Sequence, residues 1–171
     1  MKSLVIYFSR ADENYFGGSM RYIEKGNTEV IAEYIRDLVG ADSFKVERKV
    51  PYSPDYKKCI EEAKIEQRNN ELPELVSYLD DISSYDVIFI GGPIYWGTLP
   101  QPMFTELSRL DFNGKIIMPF ATHEGSGLAH IVSDIKKYAS NAIIKEGLAI
   151  MGSKVYGAKD EVDSWIKRNI K

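Results

Sequence analysis

Residues 86–92 read Asp-Val-Ile-Phe-Ile-Gly-Gly, and no other segment constrains the fold as strongly. Four consecutive large apolar side chains leave no polar face, so a strand here must be covered on both sides. A strand with one wet face would alternate instead. Leu4-Val5-Ile6-Tyr7-Phe8 has the same character, and residues 115–121 form a further apolar strand despite Pro119 near its end. Residues 44–50 read as a strand in which Phe44 and Val46 alternate with Lys45 and Glu47, and residues 143–151 contain a fifth.

Helical spacing lies between these runs. Val30, Ile31, Tyr34, Ile35 and Leu38 recur at three and four residues, with Gly40 just beyond. Residues 55–69 are charged and helix-prone, and 73–79 read as a second short helix. Helices are also expected over 102–110, over 128–138 (Leu128, Ile131, Val132, Ile135) and over 161–170 (Val162, Trp165, Ile166). Strands alternating with helices imply parallel pairing through right-handed crossovers. With no repeat, low-complexity tract or linker, the 171 residues are expected to form one α/β domain over 1–171.

Composition removes several function classes. Lys and Arg number 22 against 25 Asp and Glu, a net charge of −3, and no basic block is present, so nucleic acid is not an expected partner. The opening apolar run is too short for a signal-peptide core or a membrane span. Cys59 has no internal partner and reads as a small helix residue in a reducing compartment. The expectation is a cytoplasmic protein without membrane contact. Two histidines and one cysteine offer no metal cluster.

Parallel sheets of this kind bind ligands beyond the carboxyl ends of their strands, which directs attention to three loops. The first starts at Ser9 and ends Gly26-Asn27-Thr28-Glu29 ahead of a helix. Its hydroxyls, the Asn27 amide and the helix-start N–H groups suit a phosphate, although Asn and Thr are also ordinary caps. Arg10 turns either toward that phosphate or outward. Neither a P-loop nor a Gly-x-Gly-x-x-Gly turn is present here. The second loop, Gly91-Gly92-Pro93-Ile94-Tyr95-Trp96-Gly97-Thr98-Leu99-Pro100, carries two large aromatics. Tyr95 or Trp96 can stack on a flat ring, or both can fold into the core. The third, Thr122-His123-Glu124-Gly125-Ser126-Gly127, has small residues to wrap such a ring. His123 reads as a polar contact more readily than as a proton carrier. No Gly-x-Ser-x-Gly elbow supports a hydrolase. Together the loops suit a mononucleotide bearing a flat heteroaromatic ring.

These three segments resemble the flavodoxin-like family, and the likeness in element order covers nearly the whole chain. It implies an α/β/α sandwich around a five-stranded parallel sheet of order 2-1-3-4-5, with one flavin mononucleotide (FMN) at the switch point. By that resemblance Ser9, Arg10, Asn27 and Thr28 are phosphate-side residues. Pro93, Ile94, Tyr95, Trp96 and Gly97 line the isoalloxazine, and Gly97 eases a peptide flip upon reduction. Thr122, His123, Gly125, Ser126 and Gly127 lie at the pyrimidine edge or the ribityl chain. Two departures stand out. Residues 11–25, with Tyr15, Phe16, Met20 and Tyr22 around Gly17-Gly18, are inserted in a turn that is usually compact. They form an idle excursion, a lid or a docking loop. Dedicated carriers of the family are also more acidic. Glu61-Glu62, Glu66, Asp80-Asp81 and Asp86 read as solvated faces, or as a local acidic patch. The resemblance implies FMN-dependent electron transfer between redox partner proteins. The alternatives are an NAD(P)H-dependent FMN reductase of quinones or other small acceptors, and a domain that lost its flavin. Oligomeric state is left open.

Overall fold

The computed structural model describes residues 1–170. In chain order its elements are β1 (Ser3–Tyr7), β2 (Asp12–Phe16), β3 (Ser19–Ile23), α1 (Asn27–Val39), β4 (Asp42–Lys45), α2 (Tyr56–Arg68), β5 (Val87–Pro93), α3 (Gln101–Leu107), β6 (Ile116–His123), α4 (Ile131–Tyr138), β7 (Ile143–Ile144), β8 (Leu148–Met151) and α5 (Lys159–Asn169). A 3-10 turn over Gly152–Gly157 precedes α5. All pairings in the main sheet are parallel, in the order β4-β1-β5-β6, and β6 then pairs with β7 and β8 in turn. The hairpin β2–β3 stands apart as its own antiparallel pair. With the hairpin set aside, the order is the expected 2-1-3-4-5, the fifth place being filled by two short pieces.

Both faces of the sheet are covered, as the unbroken apolar runs require. Leu4, Ile6, Ile88 and Ile90 pack with Cys59 and Ala63 of α2, Met103 and Leu107 of α3, and Ile131 and Ile135 of α4. Val5, Tyr7, Val87 and Phe89 pack on the other side with Ile31 and Ile35 of α1 and Val162 and Trp165 of α5. Each fully buried Val, Leu, Ile or Phe contributes about 1.5–3 kcal/mol, so a polar face on either strand would forfeit one of these layers. No described helix is long and apolar enough to cross a membrane.

Register aligns the loops. Tyr7 lies opposite Gly91, and Gly91 opposite Phe120, so β1, β5 and β6 release their chains at one edge. Gly91 is required for packing there, because a Cβ would sit 2.4 Å from the Phe120 ring.

Three expectations need correction. The strand predicted over 44–50 is β4, which starts earlier and stops at Lys45. The helix predicted over 73–79 is absent. Instead Arg48 and Leu75 form an antiparallel bridge, flanked by Lys49 N–H to the Glu74 carbonyl and Val76 N–H to the Glu47 carbonyl. Burial of Leu75 in the core and these backbone bonds outweigh a weak helical preference. Glu66 belongs to no acidic patch. It is buried, 2.9 Å from Arg48 Nε, and accepts a hydrogen bond from the Tyr52 hydroxyl.

Candidate functional site

Beyond the aligned strand ends lies a cavity of about 380 Å³. Its lining includes Ser9, Arg10, Asn27 and Thr28 from the first loop, Pro93, Ile94, Tyr95 and Trp96 from the second, and Thr122, His123, Glu124 and Ser126 from the third. The size suits a small-molecule site.

At one end is the start of α1. Gly26 precedes it in extended conformation, and no side chain caps the helix from that position. The Ser9 hydroxyl accepts from Glu29 N–H at 3.0 Å, and the hydroxyls of Thr28 and Thr122 lie 2.7 Å apart. A Cβ at Gly26 would be 2.2 Å from Ser9 Oγ and 2.7 Å from the Arg10 carbonyl oxygen, so only glycine lets the turn close. A helix start whose first N–H groups face three hydroxyls, with only Glu29 N–H taken up by Ser9, is an anion cradle. The residues present therefore fit a phosphate.

The second loop forms a tight turn. Tyr95 N–H donates to the Thr98 carbonyl at 2.7 Å, and Thr98 N–H returns a bond at 3.3 Å. The central residues Trp96 and Gly97 have φ of +51° and +85°. Two positive φ values in a two-residue connection define a type I′ turn, in which a tryptophan costs about 1–2 kcal/mol. Contacts to α2 offset that strain. Trp96 Nε1 donates to the Ile60 carbonyl at 2.8 Å, Lys64 Nζ lies 5.1 Å from the indole centroid, and Gln67 Nε2 donates to the carbonyls of Tyr95 and Trp96. Trp96 stays half-exposed over the cavity mouth. Tyr95 turns inward, edge-on to Phe8 and Tyr52, and burial pushes its phenol pKa well above the ordinary value. Of the two aromatics, Trp96 is thus the exposed one, while Tyr95 packs partly buried against the core and still lines the cavity.

Gly97 lies elsewhere. It lines a neighbouring depression with Thr98, His130 and Asp134, and its carbonyl accepts from His130 N–H at 2.9 Å. The carbonyls of Trp96 and Gly97 are both engaged, so the flip expected there has to break one of these bonds. Gly125 and Gly127 also stand outside the lining, because their N–H groups donate to His123 Nδ1 at 2.9 and 3.1 Å. His123 shapes its own loop, and its Nδ1 is occupied as an acceptor.

Sequence reasoning missed one wall. Tyr56, Cys59, Ile60 and Ala63 of α2 line the cavity, as do Asn14 and Tyr15 of the hairpin and Gly152. The α2 residues recur at three and four positions, a stripe that was readable but had no stated partner. Burial raises the Cys59 thiol and the Tyr56 phenol above their ordinary pKa values, so both stay neutral near pH 7. The hairpin spans the opening. Glu13 accepts from Tyr56 N–H at 3.1 Å, the Tyr15 and Tyr56 rings lie 6.4 Å apart, and Gly17 N–H donates to Glu124 Oε2 at 3.1 Å.

A family model described as flavodoxin matches residues 15–169. Among solved structures, a candidate flavoprotein from Bacteroides eggerthii is 26% identical with a TM-score of 0.77, covering 98% of this chain and 96% of that one. A flavoprotein from Lactobacillus acidophilus, solved in complex with FMN, is 23% identical with a TM-score of 0.62, covering 91% and 97%. An NADH:FMN oxidoreductase, solved in its apo form, shares the fold at 12% identity and a TM-score of 0.54, covering 98% and 88%. The curated proteins contain no match.

Proposed function

The chain belongs to the flavodoxin family, and from that premise we propose that it binds one FMN in this cavity and transfers electrons through it. The observation that carries the reading is one continuous cavity joining the start of α1 to the turn that bears Trp96. Ser9, Asn27 and Thr28 would hold the phosphate, and Gly26 would allow the backbone to approach it. Pro93, Ile94, Tyr95 and Trp96 would flank the ring, with Thr122, His123 and Ser126 at its edge. The FMN supplies the redox chemistry when bound, and the protein supplies position and electrostatics. Tyr95, the α2 stripe and the hairpin would flank the bound ring.

The primary reading is a carrier that serves redox partner proteins. The half-exposed Trp96 and the exposed hairpin edge leave one side of the site open to a docking surface. The second reading is an NAD(P)H-dependent reductase of a small acceptor such as a quinone. It draws support from the apolar stripe of α2, which could lie against a second flat molecule. The fold does not choose between them, since function resides in the site. The deciding experiment supplies FMN-loaded protein with NADH or NADPH and a quinone, under anaerobic conditions. Turnover limited to the background rate supports the carrier, and saturable pyridine-nucleotide oxidation supports the reductase.

A further inference from the structure

Two formally charged side chains line the cavity, Arg10 and Glu124. They are not equivalent. Glu124 lies on an exposed loop where water screens it. Arg10 is only 9% exposed, and its guanidinium donates to the carbonyl of Glu13, to that of Ser53 at 2.8 Å and to that of Pro54 at 2.9 Å. No carboxylate pairs with it among the described residues, and its Nε is buried with no hydrogen-bond partner. Buried arginines are normally paired, because carbonyl dipoles orient a cation without neutralising it. A negative charge on an occupant of the cavity would supply the missing counter-charge.

The position of the guanidinium says which part of an occupant it meets. Ser53 and Pro54 lie just ahead of α2, and the positive charge is felt at Tyr95, Cys59 and Tyr56, where it opposes the upward push of burial. Those residues form the wall of α2 and the aromatic loop, not the start of α1. The phosphate has its own cradle at that start.

We propose that Arg10 raises the reduction potential of the bound flavin by stabilising the negative charge that its ring gains on reduction. This rests on the FMN reading above. Oxidised FMN takes two electrons from a redox donor and one proton from solvent, and its ring ends one charge more negative. A fixed buried cation favours that product, whereas an acidic surround would oppose it.

The test must separate charge from architecture, because Arg10 also ties the hairpin to the segment before α2. Dissociation constants for oxidised and dithionite-reduced FMN are measured for wild type, Arg10→Gln and Arg10→Lys, with potentials from anaerobic spectroelectrochemistry. Lysine keeps the charge and loses the planar fork. Arg10→Gln is expected to lose at least about tenfold of the preference for reduced FMN, about 30 mV for a two-electron couple. Arg10→Lys is expected to stay within about threefold of wild type, about 15 mV. Equal losses in Arg10→Gln and Arg10→Lys, or no loss in Arg10→Gln, overturn the proposal. Should Arg10→Gln fail to fold, wild type decides. Reduced FMN bound at least as tightly as oxidised upholds the proposal, and reduced FMN bound about tenfold more weakly, 1.4 kcal/mol, overturns it. A wild-type protein that takes up no FMN overturns the cofactor reading itself.

Discussion

Gly26 is the residue on which the phosphate turn depends most directly. Its backbone conformation is open to any residue, so the requirement is space: Ser9 Oγ and the Arg10 carbonyl occupy the place of a side chain. Gly26→Ala is expected to cost about 1–3 kcal/mol of stability, typical of overpacking. It should also lower FMN affinity by displacing Ser9, with the loss read by fluorescence titration. A variant with wild-type affinity would mean that the turn holds nothing. Glu106 gives a prediction of different kind. It is buried on α3, one carboxylate oxygen accepts from Leu79 N–H, and the other has no hydrogen-bond partner. Burial raises its pKa, despite Leu79 N–H and the nearby Arg109. The folded state therefore binds this proton more tightly than the unfolded state, and stability falls as pH rises from the unfolded value through the raised folded one. Glu106→Gln keeps the acceptor and loses the charge. It should raise the urea midpoint at about pH 7.5 and lose most of that advantage as the pH falls to about 4, just below the ordinary glutamate value. An advantage independent of pH would assign the effect to packing.

At the level of elements, the hairpin β2–β3 is the departure from a compact phosphate turn. It is docked at both ends, through Glu13 on α2 and through Gly17 on Glu124, which ties it across the cavity opening. Replacing residues 12–23 by a short Gly-Ser link is expected to keep FMN affinity within about tenfold, 1.4 kcal/mol. Rates with acceptors should change more, because Asn14 and Tyr15 leave the wall. Complete loss of binding would make the hairpin part of the cofactor site. How much of this was legible varied by element. The runs at Leu4 and Val87 announced doubly covered strands, since nothing else accommodates four apolar neighbours in a row. The inserted segment held aromatics around Gly17-Gly18, yet the polar character of Asp12, Glu13 and Asn14 hid a strand that has one pairing partner and no core. Residues 73–79 misled for the opposite reason. Their local preference is helical, and the deciding bonds come from residues 47–49, distant in sequence.

For the whole molecule, the three loops on one edge were readable from strand alternation alone, and register explains why they meet. Which members face the cavity was not readable. Tyr95 and Trp96 are adjacent, but the type I′ turn sends one inward and leaves the other at the mouth. Gly125 and Gly127 looked like free donors until His123 was seen to accept from both. The α2 wall needed the tertiary fold, because a helical stripe carries no record of its partner. Arg10 is the clearest case: its sequence offered phosphate or solvent, and the fold buries it among carbonyls with no counter-charge. Whether this cavity holds FMN is tested by titrating the purified, flavin-free protein with FMN, following flavin fluorescence and the heat of binding. Saturation is expected at one FMN per chain, with riboflavin binding more weakly because the start of α1 then holds no phosphate. Absence of saturable binding, or riboflavin bound as tightly as FMN, would contradict the FMN reading.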